Sequence, residues 1–162
     1  MVELVPMNRD AFDGFLAWTV RDFADEQVRA GTWDAAEAAE RSKAEIQGLL
    51  PQGLETPDHF FRSIVHGAPR EPVGTLWYAL RKVGPKSELF IYWIGIDERF
   101  RRRGFATEAF TALDEEARRA GASTISLHVF GHNRSARALY EKLGFDTTHL
   151  MMTRNVPAAA KP

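Results

Sequence analysis

Three consecutive arginines, Arg101 to Arg103, stand directly before Gly104 in the sequence RRRGFA, and these residues suggest three interpretations. A run of basic side chains can neutralise the phosphates of a nucleic acid. A turn that contains glycine can instead surround a phosphate with backbone N–H groups, because glycine lets the backbone approach a ligand closely. The third interpretation is a solvated turn without a ligand. The flanking sequence has to decide among them.

Composition excludes several classes of protein. The chain has 162 residues, of which 44% are hydrophobic and 27% charged, as in an ordinary globular protein. This length is typical of one domain, and we expect a single domain over residues 1–156 with a flexible tail over 157–162. With 21 basic and 22 acidic residues the net charge is −1, which argues against a protein that mainly binds a polyanion.

The lack of cysteine excludes a disulfide framework, a thiolate zinc site and a cysteine nucleophile. The first residues, MVELVPMNRDAFDGF, are charged early and lack the apolar run of a signal peptide or of a membrane span. We therefore expect a cytoplasmic protein that has no membrane partner.

The N-terminal half predicts a strand, two helices and a meander. VELV is typical of a strand, and Asn8 can cap a helix whose apolar residues recur at helical spacing until Gly31. Asp34 and Glu37 have the spacing of an acidic cap and predict the start of a second helix. After a loop at 49–60, the segments FFRSIV, VGTLWYALRKV and ELFIYWIGID are rich in β-branched and aromatic residues, which predicts three antiparallel strands.

The C-terminal half alternates helices with strands. Apolar residues at helical spacing run from Ala106 to Gly121, and STISLHVF then predicts a strand. Because a helix separates ELFIYWIGID from STISLHVF, these strands form a βαβ unit and are expected to be parallel neighbours. A helix from Asn133 to Gly144 and a last strand, THLMMTRN, complete an α/β fold with a mixed sheet.

In this arrangement RRRGFA is a turn between a strand that ends near Ile96 and a helix that begins at Ala106. The first N–H groups of a helix have no intrahelical partner, and the helix dipole adds partial positive charge there, so this turn can bind an anion. The acidic residues Asp97, Glu98 and Glu108 flank the arginines and disfavour nucleic acid. We predict no nucleic-acid partner, whereas the phosphate site and the solvated turn stay open on these residues alone.

The wider sequence resembles the GNAT superfamily of N-acyltransferases. In that family an Arg/Gln-x-x-Gly-x-Gly/Ala loop follows a strand and opens a helix, and Arg101, Gly104 and Ala106 match its fixed positions. NRSARALYEKLGF is similar to the family's second motif, Asn-x-x-Ala-x-x-x-Tyr-x-x-x-Gly-Phe. The resemblance covers residues 88–152 well, and residues 1–80 only in the order of their elements. It implies a GNAT-like fold in which the two parallel strands splay apart.

The resemblance also implies that acetyl-CoA is the co-substrate and that no metal takes part. The N–H groups that would hold the pyrophosphate belong to Arg102, Arg103, Gly104, Phe105 and Ala106. Thr107 lies beside them, and the arginine side chains, that of Arg101 included, add charge near the phosphates. Ile94 and Ile96 would offer main-chain groups to the pantetheine arm in the gap between the splayed strands.

In the family an amine attacks the thioester directly, without a covalent enzyme intermediate. The family's tyrosine protonates the departing thiolate, which makes Tyr140 the implied catalytic acid and a cofactor contact; a tyrosine of the core is the alternative. Asn133 is interpreted both as a helix N-cap and as a polar contact to the arm or the acyl carbonyl.

The group that accepts the proton of the amine is left open. Many relatives place a carboxylate in the strand before the loop, and the matching strand here offers Glu88, at its beginning. Period-two alternation puts Tyr92 on the face of Glu88 and Trp93 on the opposite face. His128 in the next strand, His132 just after it, and water are the alternatives.

The sequence does not identify the acceptor, the acyl chain or the oligomeric state, and a homodimer through a sheet edge is one expectation. Acceptor recognition in this fold usually involves the first two helices and the meander loops. Their aromatic residues either line a pocket or belong to the core: Trp18, Trp33, His59, Trp77 and Tyr78. The leading hypothesis is an acetyl-CoA-dependent N-acetyltransferase that acts on a primary amine of a small molecule or protein. The alternative is a non-catalytic acyl-CoA sensor.

Overall fold

The structure is a computed structural model that describes residues 1–157, in two compact units, Met1–Phe130 and a second unit from Gly131 onward. The first unit contains, in chain order, β1 (Val2–Pro6), α1 (Arg9–Arg29), α2 (Ala38–Leu49), β2 (His59–His66), β3 (Glu71–Val83), β4 (Lys86–Ile96), α3 (Phe105–Arg119) and β5 (Thr124–Leu127). The second unit contains α4 (Arg134–Lys142). Short 3-10 turns lie at Gly53–Glu55 and Glu98–Phe100.

The five strands form one sheet in the order β1-β2-β3-β4-β5. The first four are antiparallel neighbours, and β4 and β5 pair in parallel across α3. The predicted meander and βαβ unit are confirmed. This mixed sheet is the framework on which the residues of the candidate site are arranged.

Helices α1 and α2 cover one face of the sheet. Helix α1 begins where the Asn8 side chain accepts a hydrogen bond from the Ala11 N–H, at 2.9 Å, as predicted for a cap. Its apolar face packs with α2 on the sheet in a cluster formed by Met7, Phe12, Phe15, Ile46, Leu50, Phe61 and Trp77. Burial of this apolar surface stabilises the pairing of both helices with the sheet.

Helix α3 covers the opposite face. Its Glu116 accepts a hydrogen bond from the Tyr78 hydroxyl of β3 and forms an ion pair with Arg62 of β2, at 3.2 Å. The half-buried charges of Arg62 and Glu116 therefore compensate each other, which limits the cost of removing them from water. Leu113, also on α3, is fully buried.

A β-bulge at Tyr92 changes the direction of the side chains in β4. Trp93 pairs with Trp77, but the next pair is Ile91 with Tyr78, so Tyr92 is the extra residue. Trp93 therefore shares the face of Trp77, and both Tyr92 and Trp93 pack against the α1/α2 cluster. The prediction that Trp93 faces the opposite way from Tyr92 is wrong, because strict alternation does not hold across a bulge.

Two element boundaries differ from the prediction. Asp34 does not cap a helix: its side chain accepts a hydrogen bond from the Ala36 N–H, at 2.8 Å, and closes a turn, so that α2 begins only at Ala38. Strand β5 ends at Leu127, where its pairing with β4 ends, and His128 lies outside the strand. The predicted loop at 49–60 also contains the 3-10 turn at Gly53–Glu55.

The predicted last strand, at 148–155, does not form in the described part of the chain. Its apolar residues Leu150, Met151 and Met152 are 75%, 94% and 88% exposed. A strand needs a neighbour for its backbone groups, and residues 1–157 provide none for this segment. Of the predicted tail at 157–162, residues 158–162 lie outside the described residues, and the single domain over 1–156 stays a prediction.

The close approach of β3 and β4 depends on glycine. A Cβ atom on Gly74 would lie 2.2 Å from the Gly95 carbonyl oxygen, whereas a Cβ on Gly14, in α1, would contact nothing within 4 Å. We expect Gly74→Ala to lower the free energy of unfolding by about 1–3 kcal/mol. The matched Gly14→Ala should raise it by about 0.5–1 kcal/mol, since alanine favours a helix. Urea unfolding measures both, and equal stability of the two variants would contradict the predicted clash.

Candidate functional site

The edge of β4 becomes free where β5 ends. The parallel ladder runs from the pair Glu88 and Thr124 to the pair Ile91 and Leu127, while β4 continues to Ile96. No strand among residues 1–157 pairs with this last part of β4 on the β5 side. A gap that opens between two parallel strands exposes main-chain donors and acceptors to a ligand.

The main-chain groups of Ile94 and Ile96 point to this free edge. The Asp97 N–H donates to the Val73 carbonyl of β3, at 2.9 Å. Backbone N–H and C=O groups alternate between the two edges of a strand. Those of residues 93, 95 and 97 therefore point toward β3, and those of Ile94 and Ile96 point to the other side. The Ile96 carbonyl accepts a hydrogen bond from Arg101 Nε there, at 3.0 Å.

The loop that follows has the backbone of an anion-binding turn. Arg102 has φ of +63° and Gly104 has φ of +86°, and a positive φ at a residue other than glycine is uncommon. Gly104 is the N-cap of α3 and offers no side chain to its first N–H groups. Within residues 1–157, the N–H groups from Arg102 to Thr107 donate to no carbonyl group. Such a group of unpaired N–H groups at a helix start attracts an anion.

The space beside Gly104 is open, and two neighbouring arginine side chains pack elsewhere. A Cβ atom on Gly104 would contact nothing within 4 Å. The Arg99 and Arg103 guanidinium groups lie over the Phe100 ring, at 4.6 and 5.7 Å from its centre. The backbone N–H groups, rather than these two guanidinium groups, are therefore the groups of the turn that are left to bind a ligand.

Glu88 lies far from this loop and is already paired. It is eight residues before Ile96, roughly 26 Å at about 3.3 Å per residue. Its carboxylate accepts hydrogen bonds from Ser126 and from Arg81, the latter at 2.6 Å. Partial burial raises the pKa of Glu88, but these hydrogen bonds and the charge of Arg81 outweigh it and hold the pKa below its ordinary value. This environment makes Glu88 a weak base and gives it a structural partner.

The second unit carries the other predicted site residues. Asn133 Oδ1 accepts a hydrogen bond from the Ala136 N–H, at 3.2 Å, which confirms Asn133 as the N-cap of α4. Tyr140, two turns along the same helix, has its ring 5.7 Å from that of Phe145. Burial raises the pKa of Tyr140, so its hydroxyl stays protonated near neutral pH.

The two histidines that are alternative candidates for the base occupy different surroundings. His128 is exposed and has its ring 5.2 Å from that of Phe130, in the first unit. The His132 carbonyl accepts a hydrogen bond from the Arg134 N–H in the second unit. Neither arrangement distinguishes one of them as a proton acceptor.

The bulge at Tyr92, and the contacts between rings that it creates, could not be predicted from the sequence. Tyr92 stacks on Trp77, with ring centres 4.5 Å apart, and on His59, at 5.5 Å. The apolar run LFIYWIGI has no alternation from which a bulge could be predicted. Residues 1–157 contain no helix long and apolar enough to cross a membrane, and no group of three or more acidic or histidine residues placed to hold a metal ion.

Comparison with known proteins identifies a family and two relatives to which this chain is similar. A sequence profile of the Acetyltransferase (GNAT) family matches residues 18–145. The chain is 41% identical to the Uncharacterized N-acetyltransferase YycN of Bacillus subtilis, over 96% of this chain and 99% of YycN. It is 36% identical to the Uncharacterized N-acetyltransferase YdgE of the same organism, over 94% of this chain and 97% of YdgE.

The fold is also similar to a solved structure. The crystal structure of YycN superposes with a TM-score of 0.92 at 40% identity, covering 98% of this chain and all of that one. A match at this coverage extends the similarity beyond the two motifs to the N-terminal helices and the meander. The chain therefore belongs to the GNAT family of acetyltransferases and is an acyltransferase.

Proposed function

We propose that the protein is an N-acetyltransferase that transfers an acetyl group from acetyl-CoA to a primary amine of a small molecule or protein. The observation that carries the proposal is the loop from Arg101 to Thr107, with its unpaired N–H groups beside the free edge of β4. The names of YycN and YdgE support the reaction class.

The residues present fit coenzyme A. In the proposal the N–H groups from Arg102 to Ala106 hold the pyrophosphate, and Thr107 lies beside them. The free main-chain groups of Ile94 bind the pantetheine arm in the manner of an added strand. The Ile96 carbonyl already binds Arg101, so its N–H is the group left for the arm. Acetyl-CoA supplies the activated acetyl group, and no metal is needed.

Tyr140 is the proposed acid. As the amine bonds to the acetyl carbon, the carbon–sulfur bond breaks and the thiolate takes the Tyr140 proton. Burial raises the pKa of Tyr140, so its hydroxyl holds the proton that this role requires, although the same burial makes the phenol a weaker acid. Asn133 caps α4 through Oδ1, which leaves its side-chain NH2 for the proposed contact with the arm or the acyl carbonyl.

We propose water as the first acceptor of the amine proton. Glu88 is paired with Arg81 and has a lowered pKa, which supports a structural role over that of a base. His128 and His132 stay alternatives for a relay through water. Calorimetric titration with acetyl-CoA, followed by an amine panel monitored for free thiol, tests the proposed reaction. Binding without thiol release across the panel would favour an acyl-CoA sensor.

We expect Gly104→Glu to weaken acetyl-CoA binding at least about 100-fold, because a side chain and a negative charge would enter the phosphate site. Gly121→Glu is the matched control: Gly121 follows the other end of α3, has φ of +71° and has the same open surroundings. Both variants carry similar backbone strain, of about 1–2 kcal/mol. Calorimetric titration gives the affinities, and equal losses in the two variants would refute the phosphate site.

We expect Tyr140→Phe to lower kcat about 100-fold while the dissociation constant of acetyl-CoA changes little, because a general acid acts on the leaving thiolate. Tyr78→Phe is the control: it removes a hydroxyl that is bonded to Glu116 on the α3 face, so it should cost stability and not turnover. Steady-state kinetics under conditions where both variants are folded measures the difference. An unchanged kcat in Tyr140→Phe would make Tyr140 a residue of the core.

For Glu88 we expect Glu88→Gln to lower the free energy of unfolding by up to about 1 kcal/mol at pH 7, since Arg81 is partly exposed. The folded pKa lies below the unfolded value, so this stabilisation is present above the unfolded pKa, about 4.3, and is lost as the pH falls through the folded pKa. Arg81→Gln should show the same loss. Unfolding at several pH values tests this, whereas a fall in kcat of about 100-fold in Glu88→Gln alone would restore Glu88 as the base.

A further inference from the structure

His59 opens β2 and lies on the face of the sheet that α1 and α2 cover. It pairs with Ala79 of β3 and is half-buried. Its ring stacks on Tyr92, with centres 5.5 Å apart, and lies 5.9 Å from Trp77. Nothing in the reaction described above uses this histidine.

The chemical state of His59 follows from one hydrogen bond. Its Nδ1 atom is 3.0 Å from the indole Nε1 of Trp77. An indole N–H can only donate, so Nδ1 accepts, and the neutral ring must carry its proton on Nε2. Burial lowers the pKa of His59, with a smaller opposing effect of Asp58, which favours this neutral form near pH 7.

His59 therefore presents a hydrogen-bond donor that is still unused. The Nε2 atom has no hydrogen-bond partner among the described residues. The same bond from Trp77 prevents His59 from acting as a base, because the lone pair on Nδ1 is engaged and Nε2 already holds a proton. A protonated ring would have to give up the bond to Trp77.

His59 contacts the residue at which the gap between β4 and β5 begins. Tyr92, on which His59 stacks, is the bulged residue directly after Ile91, where the β4–β5 ladder ends. In the proposed function the acyl arm runs along β4 from this point onward. A molecule that reaches the acetyl group from the α1/α2 face would pass the His59 and Tyr92 rings.

We propose that His59 is a specificity-determining residue that donates a hydrogen bond from Nε2 to a hydroxyl or carbonyl oxygen of the amine acceptor. The preferred acceptors are then amines that carry such an oxygen, such as amino alcohols, amino sugars or amino amides, rather than plain alkylamines. This inference rests on the proposed function, because it names the substrate class of the same site. The geometry also gives Trp77 a role, since its N–H fixes the direction of the His59 donor.

The first test determines the tautomer of His59 and does not depend on enzymatic activity. In 15N-labelled protein at pH 7 and above, His59 should show a protonated Nε2 and an unprotonated Nδ1. Histidine side chains in the other positions serve as internal references in the same spectrum. A proton on Nδ1 would overturn the proposal by itself, because the donor would then point at Trp77 instead of a ligand.

The second test compares two substrate series, ω-amino alcohols of two to five carbons and n-alkylamines with the same carbon number. For the best amino alcohol, kcat/KM should exceed that of the matched alkylamine about tenfold, the value of one hydrogen bond of ~1.4 kcal/mol. His59→Leu should bring this ratio to about one. His59→Gln, whose side-chain amide can donate from a similar position, should keep most of the preference.

The outcomes separate the two proposals. The role of His59 is overturned if the wild-type ratio of kcat/KM values is near one, or if His59→Leu leaves this ratio unchanged. In either case acetylation of the alkylamines would still support the proposed transferase. If the wild type binds no acetyl-CoA, or acetylates neither series, the proposed function fails in its small-amine form and the subsite fails with it. Rescue by Gln but not by Leu supports the donor over a purely structural role.

Discussion

The pairing of β4 with β5 is the constraint on which the candidate site depends. Parallel pairing over Glu88–Ile91 satisfies the backbone groups of β4 on that edge, and beyond Ile91 no strand among residues 1–157 pairs with it there, so that the Ile96 carbonyl bonds to the Arg101 side chain instead. In a fully paired sheet these groups would have no capacity to bind a ligand. The first half of β4 therefore stabilises the sheet through its pairing with β5, and the second half is available to bind a ligand.

The bulge at Tyr92 and the turn at Arg102 to Gly104 build on this ending. The bulge turns Tyr92 and Trp93 to the face that carries Trp77 and His59, so the aromatic surface lies beside the free edge. The turn then follows the end of the same strand and carries the unpaired N–H groups from Arg102 to Thr107. The bulge thus lies where the β5-side edge of β4 becomes free, and the turn follows the end of the strand.

Much of this arrangement could be predicted from the sequence, because it depends on local patterns. Asn8 and Asn133 cap helices as their side chains predict, and Gly104 lies directly before α3 in the turn that the sequence indicates. The loop motif also needs no tertiary information, since its function lies in consecutive backbone groups. These features explain why the GNAT resemblance could be found in residues 88–152.

The features that could not be predicted depend on partners distant in sequence. The bulge arises from the register between β3 and β4, and an apolar run gives no sign of it. Asp34 resembles a cap in sequence but closes a turn. Glu88 resembles a base in sequence, yet Arg81 and Ser126 define its environment. Residues 148–155 have the composition of a strand without a described neighbour to pair with.

The hydrogen bond from Arg101 to the Ile96 carbonyl has a thermodynamic consequence. It ties the first residue of the loop to the last residue of the strand and so restricts the backbone between them before any ligand arrives. Ordering a loop on binding usually reduces affinity through lost conformational entropy. Here that entropy is already lost when the chain folds. The entropic cost of binding is then mainly the ligand's own loss of freedom. A small number of backbone contacts can therefore be enough for tight binding.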